Sequence, residues 1–288
     1  MWRRSVLKGR TTVSDIVSRR PRPAAVMGVV NVTPDSFSGD GLYLDEDAAV
    51  ERGVNMFDAG AEIVDIGGES TRPYAEPVSE QEEMARVIGV VSRLAAFYPE
   101  KLSVDTMKPA VAAAALEAGA AIVNDVSGLR NADMRSVVAE HGASVIIMHM
   151  LGEPKTMQDS PRYDDVVAEI VDHLNERITV AEREGIDPRR IMVDPGIGFG
   201  KTVEHNVEIL SRLGEFRSLG KPVVVGVSRK SFIGKMTDRP TDDRLGGSIA
   251  AAIVAAANGA DLLRVHDVPE TVQALRVAWR LSAQSSAR

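Results

Sequence analysis

Short runs of aliphatic and β-branched residues recur along the chain, and longer stretches with apolar positions at helical spacing separate them. The runs are AVMGVVN (25–31), EIVDIG (62–67), KLSVDT (101–106), AIVND (121–125), SVIIMH (144–149), RIMVD (190–194), PVVVGV (222–227) and LLRVH (262–266). The helical stretches fall near 46–59, 79–97, 108–118, 131–141, 162–184, 203–213, 243–258 and 269–283. The runs do not alternate between apolar and polar residues. That is the pattern of strands with helices on one face and packed side chains on the other.

Eight strand–helix units in 288 residues predict an α/β fold, a single (β/α)8 TIM barrel. An open doubly wound sheet is the rival. No linker rich in Pro, Gly or Ser breaks the chain, which favours closure into one domain over residues 25–284. A basic extension (1–24) precedes it and a short tail (285–288) follows. The segment 228–243 is longer than an ordinary βα loop and is expected over the barrel mouth.

Composition narrows the function. Apolar residues make up 44% of the chain and aromatics only 4%, which favours helices packed on strands over an aromatic-rich sandwich. The net charge of −7 argues against a nucleic-acid partner. Without cysteine there are no disulfides and no thiolate metal sites. No apolar run approaches the length of a membrane span, about 20 residues. The N-terminal 23 residues lack the apolar core of a secretory signal, so a cytoplasmic protein is the default expectation.

Each predicted strand ends in a polar group. The ends are Asn31, the GGESTRP run with Glu69, Ser70, Thr71 and Arg72, then Asp105, Asn124, His149, Asp194, Lys230, and Arg264 with His266. Polar strand ends are ordinary one at a time. In a closed barrel all eight meet on one rim, where such barrels build active sites. Asp105, Asn124 and Asp194 offer acceptors and one amide, the complement of a 2-amino-4-oxo pyrimidine edge. Arg264, His266 and Arg72 seek an anion, and Lys230 bridges the two groups. Asn31 and the acids of its loop suit a hard cation such as Mg²⁺ accompanying a phosphate.

Other motifs lead nowhere. DPGIGFGKT (194–202) imitates a phosphate-binding loop, but Pro195 stands where the first glycine is required and has no N–H to offer. No second metal ligand accompanies His149 at helical spacing, and no serine sits in a G-x-S-x-G elbow.

Taken together, MGVVNVTPDSFSGDG, DIGGESTRP, SVDT, NDVSG, MHMLGEPKTMQ, DPGIGFGKT, GVSRKSFIG and RVHDV, spread over about residues 25–275, resemble the dihydropteroate synthase family. The resemblance implies a homodimeric barrel of folate synthesis and a target of sulfonamides. Such an enzyme joins 6-hydroxymethyl-7,8-dihydropterin diphosphate to 4-aminobenzoate with release of pyrophosphate. By motif, Asp105, Asn124, Asp194 and Lys230 would hold the pterin. Asn31, Arg264 and His266 would hold the diphosphate and its Mg²⁺. Thr71, Arg72, Pro73, Phe199, Lys230 and Ser231 would shape the aminobenzoate site.

The catalytic set implied is Asp105, Asp194, Lys230, Arg264 and His266, with no covalent nucleophile. Two departures from the family pattern fall in loops: Gly39 stands at a usually acidic position, and Tyr74 where glycine is usual. Two rivals are a pterin-binding methyltransferase domain and a paralogue that binds pterin without turnover. The SRK and RVH motifs count against the first.

Overall fold

A computed structural model describes residues 23–33, 45–70, 76–152 and 157–285. Eight parallel strands form one sheet: β1 (Ala25–Asn31), β2 (Ile63–Gly67), β3 (Leu102–Asp105), β4 (Ile122–Asp125), β5 (Ser144–Met148), β6 (Ile191–Asp194), β7 (Val224–Gly226) and β8 (Leu262–Val265). Neighbours in the chain are neighbours in the sheet, and β8 pairs with β1. The seam between β6 and β7 is closed by a bridge of Val193 with Val223, where the Val193 amide donates to the Pro222 carbonyl at 3.0 Å. The sheet is therefore a barrel, as expected, and the doubly wound alternative falls.

The surrounding helices are α1 (Glu46–Asp58), α2 (Glu80–Ala95), α3 (Pro109–Glu117), α4 (Ala132–His141), α5 (Val166–Arg183), α6 (Val203–Ser211), α7 (Ser231–Thr237), α8 (Leu245–Asn258) and α9 (Val268–Ser285). Their starts follow local chemistry. Asp45, Ser79, Asn131 and Asp165 each accept a backbone N–H of the helix they precede, and Thr202 forms a capping box with His205. One expectation is corrected in part. The segment 228–243, expected as a long loop over the barrel mouth, does line the cavity there but holds α7 and a 3₁₀ turn at Thr241–Asp243. The short α7 contains Gly234 and is too brief to show a helical period in sequence.

Two separate apolar clusters result from strand periodicity. One set of alternate residues, including Val26, Val64, Val104, Val123, Val145, Val193, Val225 and Leu263, packs outward against the helices. The other set, Ala25, Met27, Ile63, Ile122, Ile146, Met192, Val224 and Leu262, fills the barrel. Two residues further along these strands, the inner face turns polar. Ile63 is followed by Asp65, Ile122 by Asn124, Met192 by Asp194 and Leu262 by Arg264. The register aligns Gly67 with Asp105, Asp105 with Asn124, and Met148 with Asp194. A polar layer thus lies on an apolar floor at the C-terminal end of the barrel.

Candidate active site

Arg264 reaches across the polar layer from β8. Its Nε donates to Asp65 Oδ2 at 2.7 Å, and its Nη2 donates to Asp105 Oδ2 at 2.6 Å. Asn124 Nδ2 donates to the same Asp65 oxygen at 3.0 Å. Four strands are tied through two carboxylates. Asp65 was not among the sequence candidates, because it sits inside a strand rather than at its end. Its position two residues after the inward Ile63 is the signal that marks it.

Arg264 therefore does not stand apart as an anion seeker, as the sequence suggested. It belongs to the acid cluster. Asn124 likewise commits an amide N–H to the protein.

The cluster still has capacity for donors. Asp65 Oδ1 and Asp105 Oδ1 are buried and have no hydrogen-bond partner among the described residues. Asp105 also lines a cavity of about 420 Å³ that opens on the rim. Burial pushes the Asp105 carboxyl up to about 7; Arg264 opposes the shift, while Asp65, Glu83 and Asp125 add to it. Asp194 is raised as well, by burial, against the pull of Lys230 and of the Gly196 amide, which donates to its Oδ1 at 2.7 Å.

Of the predicted residues, Asn31, Asp105, Phe199, Lys230, Ser231, Arg264 and His266 all line this cavity. Asn124 and Asp194 are buried in the polar layer. Thr71, Arg72, Pro73, Gly39 and Tyr74 lie outside the described residues. Lys230 Nζ donates to the Ile197 carbonyl and stands 4.8 Å from the centre of the Phe199 ring. Burial draws its pKa down to about 8, with Asp194 holding it up. Ser228, which the sequence gave no specific role, has its hydroxyl 3.1 Å from His266 Nδ1.

His149 is not on the cavity wall. It is buried and neutral, its pKa lowered to about 2 by burial and by neighbouring Lys201. Lys201 Nζ approaches His149 Nδ1 at 3.0 Å and donates to the Phe199 carbonyl at 2.9 Å. The loop from Pro195 to Gly200 is a set of tight turns, with φ of 70° at Gly196, 85° at Gly198 and 65° at Gly200. It passes so close to β5 that a Cβ on Gly196 would lie 1.9 Å from the His149 carbonyl oxygen.

Among the described residues no group of three or more His, Cys, Asp or Glu side chains is placed to hold a metal. Mg²⁺, however, needs few protein ligands when a substrate phosphate supplies oxygens. Asn31 lines the cavity, as do Thr33 and His266, and its amide oxygen is a hard donor of the right kind.

Comparison with known proteins agrees with this geometry. A family model for pterin binding enzymes matches residues 27–266. The dihydropteroate synthase of Escherichia coli strain K12 is 47% identical over 264 residues, which is 91% of this chain and 94% of that protein. The chain belongs to the dihydropteroate synthase family.

Among solved structures, the Yersinia pestis dihydropteroate synthase with a bound sulfonamide drug superposes with a TM-score of 0.87 at 43% identity, covering 92% of this chain and 95% of that one. The Xanthomonas albilineans dihydropteroate synthase with 4-aminobenzoic acid gives 0.83 at 50% identity, covering 91% and 94%.

Replacing Gly196 by alanine tests the turn that carries Asp194. The methyl group meets a carbonyl and the backbone holds a positive φ, so a loss of about 3 kcal/mol is expected in urea unfolding. An unchanged midpoint would show that the loop relaxes freely.

Proposed function

We infer that this chain is a dihydropteroate synthase. It condenses 6-hydroxymethyl-7,8-dihydropterin diphosphate with 4-aminobenzoate, giving 7,8-dihydropteroate and pyrophosphate for folate synthesis. The observation that carries this reading is the partnerless, buried Oδ1 of Asp105, a residue that lines a cavity whose rim holds Lys230, Arg264 and His266. An acceptor so buried is unfavourable until a ligand supplies an N–H. The 2-amino-4-oxo edge of a pterin supplies several.

In the proposed mechanism Asp105 and Asp194 take the pterin N–H groups, and the Asn124 oxygen and Lys230 complete the ring's contacts. The C–O bond at the pterin methylene breaks, and its electron pair leaves with pyrophosphate. The methylene cation is delocalised into the ring and stabilised by the two carboxylates. His266 faces the departing diphosphate, while Arg264 holds Asp65 and Asp105 in place beneath the ring. Asn31 would hold Mg²⁺ together with the diphosphate oxygens, and the ion when bound neutralises leaving-group charge. The aromatic amine of 4-aminobenzoate then attacks the methylene and loses a proton. Phe199, Lys230 and Ser231 form the aminobenzoate side. The site thereby works through position and charge, and no side chain forms a bond to substrate.

Two further parts of the reading concern the whole molecule. A homodimer is supported by exposed Val254 on α8 and exposed Val277 and Leu281 on α9, helices that pack side by side. A cytoplasmic location fits a small-molecule biosynthetic enzyme, and no described helix is long and apolar enough to cross a membrane.

The test is direct. Purified protein with Mg²⁺ and both substrates is expected to form dihydropteroate and pyrophosphate in equal amounts, and Asp105→Asn to reduce pterin affinity at least about 100-fold. Pterin affinity unchanged by Asp105→Asn would remove that residue from the site. A wild-type protein that binds pterin but forms no product would overturn the synthase reading.

Affinity should also depend on pH. Burial pushes the Asp105 carboxyl up to about 7, and N–H donors favour its ionised form. Pterin affinity, followed by calorimetry, should therefore fall about tenfold per pH unit below 7 and level off above it. A flat profile, or tighter binding as pH falls, would contradict this.

A further inference from the structure

Five non-glycine residues have positive φ among the described residues, and only Arg229, at 58°, lines the cavity. A residue with a Cβ is disfavoured there, so the surroundings must impose the conformation. Three partners do so. The Arg229 amide donates to Ser248 Oγ at 2.9 Å, and its carbonyl accepts from Arg244 Nη1 at 3.0 Å. Its guanidinium makes a two-point contact with Asp267: Nε donates to Oδ2 at 3.0 Å and Nη2 donates to Oδ1. Asp267 directly follows His266 and immediately precedes α9.

The consequence lies in the two flanking residues. A single left-handed residue sends its neighbours in different directions. Ser228, before it, meets the His266 ring and accepts from the His266 amide at 3.3 Å. Lys230, after it, points to the Ile197 carbonyl and the Phe199 ring. The Arg229–Asp267 pair links the β7 loop to the residue next to His266, so it fixes the spacing of the two loops that carry these groups.

We propose that Arg229 and Asp267 act together as positioning residues. Their forked ion pair holds the strained Arg229 turn and thereby sets Lys230 at the pterin end and Ser228 with His266 at the diphosphate end of one substrate. The Arg229 guanidinium is committed to Asp267, and the pair acts through its neighbours. The proposal deepens the synthase reading and rests on it.

Arg229→Gln, Asp267→Asn and the double variant test it. Each single variant should lower kcat/KM for the pterin diphosphate about tenfold or more, with a melting temperature within about 4 °C of wild type. The double variant should lose no more than Arg229→Gln alone, because the pair acts as a unit. Full kcat/KM in both single variants would overturn the proposal. So would losses that multiply in the double variant, or a loss that disappears once activity is corrected for the folded fraction.

Asp267→Asn leaves the loop backbone and its bonds to Ser248 and Arg244 in place, and carries the test if Arg229→Gln does not fold. Should the wild type bind pterin yet make no product, the synthase reading fails separately. Calorimetry with 6-hydroxymethylpterin and with pyrophosphate then decides: Asp267→Asn weakening both supports the linkage, and unchanged binding of both refutes it.

Discussion

A guanidinium shared between two buried carboxylates organises this barrel's mouth. Arg264 bonds to Asp65 and Asp105, with Asn124 also donating to Asp65, so strands β2, β3, β4 and β8 are tied to one another above the apolar floor. Burying three carboxylates is unfavourable unless donors satisfy them. Arg264, Lys230 and the Gly196 amide satisfy part of the demand. The remainder, above all Asp105 Oδ1, is left for a ligand. Stability and recognition are therefore linked. The same desolvation that raises the Asp105 pKa makes an N–H-rich ring a good occupant.

The cationic side follows from this arrangement. With Arg264 already bonded to two acids, the rim needs another group for a leaving diphosphate, and His266 stands there, while Lys230 faces the pterin side. Their loops are braced from behind. Lys201 holds the Phe199 carbonyl, glycine turns hold Asp194 against β5, and Arg229 joins the β7 loop to the start of α9. The rigid barrel sets which residues meet, and these braces set their orientation.

Much of this was legible in the sequence. All eight strands fall within two residues of their expected bounds at either end, because buried β-branched runs bounded by polar groups leave little freedom. The rim residues Asn31, Asp105, Lys230, Arg264 and His266 do gather, because barrel strands end on one face. What escaped notice has physical reasons. Asp65 lies mid-strand, where only the i, i+2 rule reveals that it faces inward. The partnership of Arg264 with two acids depends on angles around the barrel, which strand spacing does not encode. The left-handed turn at Arg229 is imposed by tertiary contacts and has no glycine or asparagine to announce it.

The central claim is that the inward polar layer on β2, β3, β4, β6 and β8 is the seat of the pterin. A crystal structure of the protein with 6-hydroxymethylpterin tests it most directly. The account predicts ring N–H groups within about 3.2 Å of Asp105 Oδ1 and of Asp194. A ring bound elsewhere, with Asp105 Oδ1 still lacking a partner, would contradict it.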